Sequence, residues 1–168
     1  MKRVDGYRDG KRFDLEIVQV GEDYRGRPLW LGTETAVLWI ALQRFALRQG
    51  VTLTATSGFR FMADQQKLWN ERTRLPTDSE SEAAKKLEAR TRNGGAARPG
   101  YSKHQSGDAI DIATGLSRME FISGRRTETF KWLETHAPKF GFAVLTVAGE
   151  PWHFERVVTP AIFGGADV

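Results

Sequence analysis

The sequence predicts a single α+β domain in which helices flank a central, mainly antiparallel sheet. Three observations carry this. A chain of 168 residues suffices for one hydrophobic core and is short for two. Apolar residues make up 40% and charged residues 27%, with five Trp and ten Phe as bulky core material. Strand and helix signals follow one another without the regular βαβ alternation that builds a parallel sheet.

The elements follow in chain order. Phe13 to Val20 alternates apolar and polar residues and reads as a strand at a sheet edge, closed by the turn formers Gly21-Glu22-Asp23. From Thr33 to Gln49, Ala36, Val37, Ile40, Ala41, Leu42 and Phe45 recur at helical spacing. Thr33 is the expected cap and Gly50 the stop of this core helix. Val51 to Thr56 is a β-branched strand that leads through Ser57-Gly58-Phe59-Arg60 into a helix over Met62 to Arg72. Thr73 to Gly100 reads as a surface insertion, with a charged helix over Glu82 to Arg90 and a glycine-rich loop after it. Ala109 to Ile112 is a short buried strand, Thr127 to His136 a helix, and Phe142 to Val147 and Trp152 to Glu155 the last strands.

Composition narrows the function classes. With no cysteine, a disulfide framework and a thiolate metal site are both excluded, so a metal would be held by His and carboxylate. The net charge of +4 is mild, and no basic stripe with interleaved aromatics appears, so nucleic acid is not an expected partner. No stretch approaches the roughly 20 apolar residues of a membrane span. Met1-Lys2-Arg3 is not followed by an apolar run, so no signal peptide is expected; the expected location is the cytoplasm, or release by a non-classical or phage-type route.

The chemistry concentrates in Ser102-Lys103-His104-Gln105-Ser106-Gly107-Asp108-Ala109-Ile110-Asp111 and in Glu150-Pro151-Trp152-His153. A catalytic zinc takes three protein ligands and keeps a fourth position open, and His104, Asp111 and His153 can supply the three. Non-haem iron also uses two His and one carboxylate, but its usual spacing sets the first His and the acid much closer together. Glu150, three residues before His153, stands where a general base belongs, so the set suits metal-assisted peptide hydrolysis. Arg60 has the planar fork that grips carboxylates. Ser102 is either a substrate contact or a brace for the loop before His104, Gln65 a substrate contact or a helix-surface residue, and Trp152 core or cleft wall. Asp108 is expected to lie too close to solvent to compete with Asp111. Gly107 is expected to allow a close backbone approach beneath the metal. His136, near a helix C-terminus where a cation is favoured, is given no catalytic role.

These motifs, Ser-x-His-x-x-Gly-x-x-x-Asp with Glu-x-x-His, and Ser57-Gly58-Phe59-Arg60 with Gln65 upstream, resemble the zinc D-alanyl-D-alanine carboxypeptidases and dipeptidases. That group includes vancomycin-resistance-type enzymes and phage endolysin peptidases, and it is related to Hedgehog-type zinc domains. The resemblance runs from about Leu53 to Glu155, with Phe59 where the family often has Tyr. It implies Zn²⁺ on His104, Asp111 and His153, Glu150 as base, and Arg60 on the reacting carbonyl or the substrate carboxylate. The expected partner is a peptidoglycan stem peptide or D-alanyl peptide, and the expected reaction is removal of a terminal D-alanine (D,D or L,D) by a monomer. An L-alanyl-D-glutamate endopeptidase and a non-catalytic zinc-containing binding module are the alternatives.

Overall fold

Asp9 and Gly10 both have positive φ (51° and 76°) and form the two-residue turn that joins β1 (Lys2–Arg8) to β2 (Lys11–Glu22). Asp-Gly is the pair such a turn favours, because both central residues must enter left-handed space. A computed structural model describes residues 1–73 and 96–157 of the chain. Within them β2 pairs antiparallel with β1 on one side and with β3 (Pro28–Gly32) on the other. It is therefore the centre of a three-stranded sheet, not the expected edge, because its two flanking strands carry weak alternation of their own.

β3 runs directly into α1 (Thr33–Arg48), whose N-cap is Gly32. Thr33 is thus the first helical residue and not the cap; its hydroxyl donates to the Glu16 carbonyl at 3.1 Å. Ala36, Trp39, Leu42 and Ala46 form the buried stripe of the helix, and Val37, expected inside, is exposed. Gly50, at φ +74°, turns the chain away after the helix.

The rest of the described chain comprises β4 (Ala55–Ser57), α2 (Met62–Thr73), β5 (Ala109–Ile112), α3 (Arg118–Ile122), α4 (Glu128–His136), a 3-10 turn (Ala137–Phe140), β6 (Phe142–Val144) and β7 (His153–Arg156). These strands make a second sheet in the order β4-β5-β7-β6, with every pair antiparallel. The single expected sheet is thus two, and the α+β class with antiparallel pairing stands. β6 is shorter than expected because Leu145 takes a left-handed φ of +60°. The helix expected over Glu82 to Arg90 lies outside the described residues.

One core joins the two sheets through α1. Leu29 and Leu31 of β3, Trp39 and Leu42 of α1, Ile110 and Ile112 of β5, Leu133 of α4 and Phe154 of β7 are all buried within it. Full burial of each such side chain contributes roughly 1.5–3 kcal/mol of transfer free energy. The second sheet is therefore anchored from behind, and its other face is free to carry polar groups.

Candidate active site

Register sets the first part of the site. In the antiparallel pair β5–β7, Asp111 stands opposite His153, so their side chains emerge on one face as neighbours. His153 Nδ1 lies 3.0 Å from Asp111 Oδ1. Glu155, two residues along β7, shares that face and sits 3.1 Å from His153 Nε2. It was not among the candidates read from the sequence, although the period of two from His153 is a signal that would have found it.

His104 reaches the same point from a loop. Its Nε2 is 3.3 Å from Asp111 Oδ1, and its Nδ1 is 2.8 Å from the carbonyl oxygen of Gly58. A carbonyl only accepts, so Nδ1 carries the hydrogen and Nε2 keeps a lone pair directed at Asp111. Gly58 can hold this position only as glycine: a Cβ there would lie 2.3 Å from the Trp30 carbonyl oxygen.

The donor atoms of His104, Asp111 and His153 all lie within 4.8 Å of one another. A tetrahedral zinc with bonds of about 2.0–2.2 Å sets its ligands roughly 3.3–3.6 Å apart, close to the two separations from Asp111. The hydrogen bonds behind the imidazoles, to Gly58 and to Glu155, are those that orient metal-ligating histidines. The residues present therefore fit a metal.

These groups open into a cleft of about 260 Å³. Arg60, Ser102, Glu150 and Trp152 line it together with the three donors. Trp152, left open between core and wall, is on the wall. Ser102 both faces the cleft and accepts the His104 backbone N–H on its Oγ at 3.3 Å. Gln65, in contrast, is fully buried and does not line the cleft. Its carbonyl accepts from Arg60 Nη1 at 2.9 Å and its amide donates to the Ala97 carbonyl at 2.7 Å. Gln65 thus holds Arg60 in place and is not a substrate contact, because both ends of its amide are used inside the protein.

Burial would raise the Asp111 carboxyl, but the charge and hydrogen bonds of His104 and His153 hold it well below the usual carboxylate range. Burial alone would lower His153, yet its hydrogen bonds to Asp111 and Glu155 push it up to about 9. A metal would displace that proton, since ligation needs the neutral ring. Burial raises Glu150, opposed by the nearby charge of His153. Burial also lowers Arg60, against the pull of Asp111 and Glu150.

Two other expectations change. Asp108 is mostly buried, no more exposed than Asp111, and its engagement by Ser106, Arg8 and Arg156, not exposure, removes it as a ligand. Gly107 does allow a close approach, but to Gly32 at the start of α1, where a Cβ would meet Gly32 Cα and N at 3.0 Å, and not to the metal position.

Two imidazoles and a carboxylate on an antiparallel scaffold, sharing a cleft with a glutamate and a guanidinium, define a metallopeptidase-like domain. The chain belongs to the VanY family, D-alanyl-D-alanine carboxypeptidase, whose pattern matches residues 29–158. It is 30% identical over 122 residues to a D-alanyl-D-alanine carboxypeptidase of Enterococcus faecalis, a match covering 67% of this chain and 42% of that protein. The chain thus spans less than half the length of that relative. Among solved structures, VanYB in complex with D-Alanine-D-Alanine superposes with a TM-score of 0.61 at 25% identity, over 86% of this chain and 78% of that one. A mutant of the vancomycin-resistance D,D-pentapeptidase VanY in complex with Zn(II) gives 0.60 at 25% identity, over 86% and 80%. Among the described residues no helix is long and apolar enough to cross a membrane.

Proposed function

We propose that this protein is a zinc-dependent carboxypeptidase that removes a terminal D-alanine from peptidoglycan stem peptides, acting at the cell wall. The observation that carries the reading is the shared cleft: the His104–Asp111–His153 donor set faces the same space as Glu150 and Arg60. The relatives support the substrate class, and the Zn(II) complex of a neighbour supports the metal.

His104, Asp111 and His153 would hold the ion. When bound, zinc supplies Lewis acidity toward a carbonyl and makes water more acidic. Glu150, with its pKa raised by burial, takes a proton from the attacking water and delivers it to the amine of the departing alanine. Water adds to the carbonyl carbon as the C–N bond breaks, so the products are D-alanine and a stem shortened by one residue. Arg60 grips the carbonyl oxygen or the terminal carboxylate and is held for that by Gln65 and by Ser57 Oγ at 3.3 Å. Ser102 and Trp152 bound the substrate. Glu155 keeps the His153 ring in orientation. The activity is proposed for the monomer. A binding module would have no use for Glu150 beside the donor set.

The test is mass spectrometry of tri-, tetra- and pentapeptide muropeptides after incubation with the zinc-loaded protein, with Glu150→Gln as control. Loss of one alanine from the pentapeptide, tetrapeptide or both is the expected outcome, and the control should be slower by about 10²–10⁴-fold. Cleavage after the first L-alanine would replace the reading with a lytic endopeptidase. Intact stems in every case would overturn it.

A further inference from the structure

Asp108 lies between two of the proposed zinc donors in sequence yet lines no part of the cleft. Ser106 Oγ donates to its Oδ2 at 2.7 Å, and Arg8 Nη2 to the same oxygen at 2.8 Å. Its Oδ1 takes Arg156 Nη2 at 2.8 Å and Nε at 3.1 Å. The backbone joins in: the Arg156 N–H donates to the Asp108 carbonyl at 2.7 Å, and the Asp108 N–H to the Lys103 carbonyl at 3.1 Å. With this many donors the carboxylate has one orientation, and each charged bond is of the strong, charge-assisted kind.

What Asp108 joins is more telling than how tightly it is held. Arg156 ends β7, three residues beyond His153, and its third nitrogen reaches Glu34 at the start of α1 at 2.6 Å. Arg8 ends β1. The loop that carries His104 also accepts the Tyr7 N–H on the Gln105 carbonyl at 2.9 Å and the Gly32 N–H on the Gly107 carbonyl at 3.2 Å. The segments bearing all three donors therefore meet the N-terminal sheet at Asp108. Arg8 and Tyr7 lie outside residues 29–158, the part that matches the family.

We propose that Asp108 is a positioning residue for the metal site, and that through Arg8 the β1–β2 hairpin, outside the family's matched segment, forms part of the support of that site. The proposal rests on the reading that His104, Asp111 and His153 hold zinc. A site of this kind needs its groups within about 0.5 Å of the working geometry, and a carboxylate that fixes the His104 loop against the end of β7 supplies such a constraint.

The experiment is chelator competition for Zn²⁺ on the full chain, alongside thermal unfolding and steady-state kinetics, for wild type, Asp108→Asn, Arg8→Ala and the surface control Asp5→Ala. Asp108→Asn should bind zinc about 10-fold more weakly, the lower range for loss of an outer partner. Its kcat should fall with KM unchanged, since Asp108 is outside the cleft. Arg8→Ala should show a smaller weakening, partly restored in Arg8→Lys, and Asp5→Ala none. A folded Asp108→Asn with wild-type zinc affinity overturns the proposal even if its melting temperature falls, because that is a purely structural role. If Asp108→Asn does not fold, Arg8→Ala decides, and unchanged zinc affinity there overturns it. Wild-type protein that holds zinc and cleaves no stem peptide would end the proposed activity and leave this inference standing, since its readout is metal affinity.

Discussion

Asp108, just before β5, and Asp111, within it, are three residues apart, and both carboxyls are held below their usual range, yet they do opposite work. Odd spacing along extended chain sends them to opposite faces. Asp108 meets guanidinium groups, which stay charged and have no lone pair to give, so its partners can only lock it. Asp111 meets imidazoles, which can lose a proton and offer nitrogen to a metal. The same side chain is thus a fastener on one face and, on the proposed reading, a metal ligand on the other, and the identity of its neighbours decides which.

Asp111→Asn should produce the largest effect. Zinc affinity should fall by more than the roughly 10–100-fold typical of losing an outer partner, because a direct donor is weakened. Chelator competition measures this, and wild-type affinity would move the ligand role away from Asp111.

Gly58→Ala comes next. Its Cβ would press on the Trp30 carbonyl and displace the oxygen that orients His104. About 1–3 kcal/mol of stability should be lost, as for other forced overpacking, with weaker zinc binding in the folded fraction. Urea unfolding with and without zinc separates the two, and a fully stable variant would show that the close contact relaxes freely.

The smallest effect concerns pH. Burial would raise the Asp108 carboxyl, but hydrogen bonds from Ser106, Arg156 and Arg8 bring it down overall. A carboxyl depressed by folding contributes stability that is present above its unfolded value of about 3.9 and is lost as pH falls through the lower folded one. Metal-free wild type should therefore lose urea stability more steeply between about pH 5 and 2 than Asp108→Asn does. Parallel profiles would mean that Asp108 titrates alike in both states, and the contrast with Asp111 would lose its electrostatic half.

Much of the fold was legible, and the misses have local causes. α1 follows from apolar periodicity and the stop at Gly50, and the spans expected for α2 and α4 agree with the structure to within about one residue. The alternation of β2 marks it as a strand but not as a central one, because β1 is polar on most of its length and β3 is five residues long. The Asp9-Gly10 turn was the available signal for the hairpin. Val37 reads as core on the helix wheel, but only packing against the sheet selects which apolar residues of α1 turn inward.

The sequence by itself determined the absence of thiolate ligands and the α+β class, and it named His104, Asp111, His153 and Glu150 as candidates, because catalytic chemistry needs particular functional groups and residue types are written in the chain. Tertiary structure alone decided that Gln65 holds Arg60 and takes no place in the cleft, and that Asp108 binds the N-terminal hairpin to the loop that carries His104. Those roles depend on strand register and on contacts between residues up to 100 positions apart, and no local pattern of side chains encodes such distances.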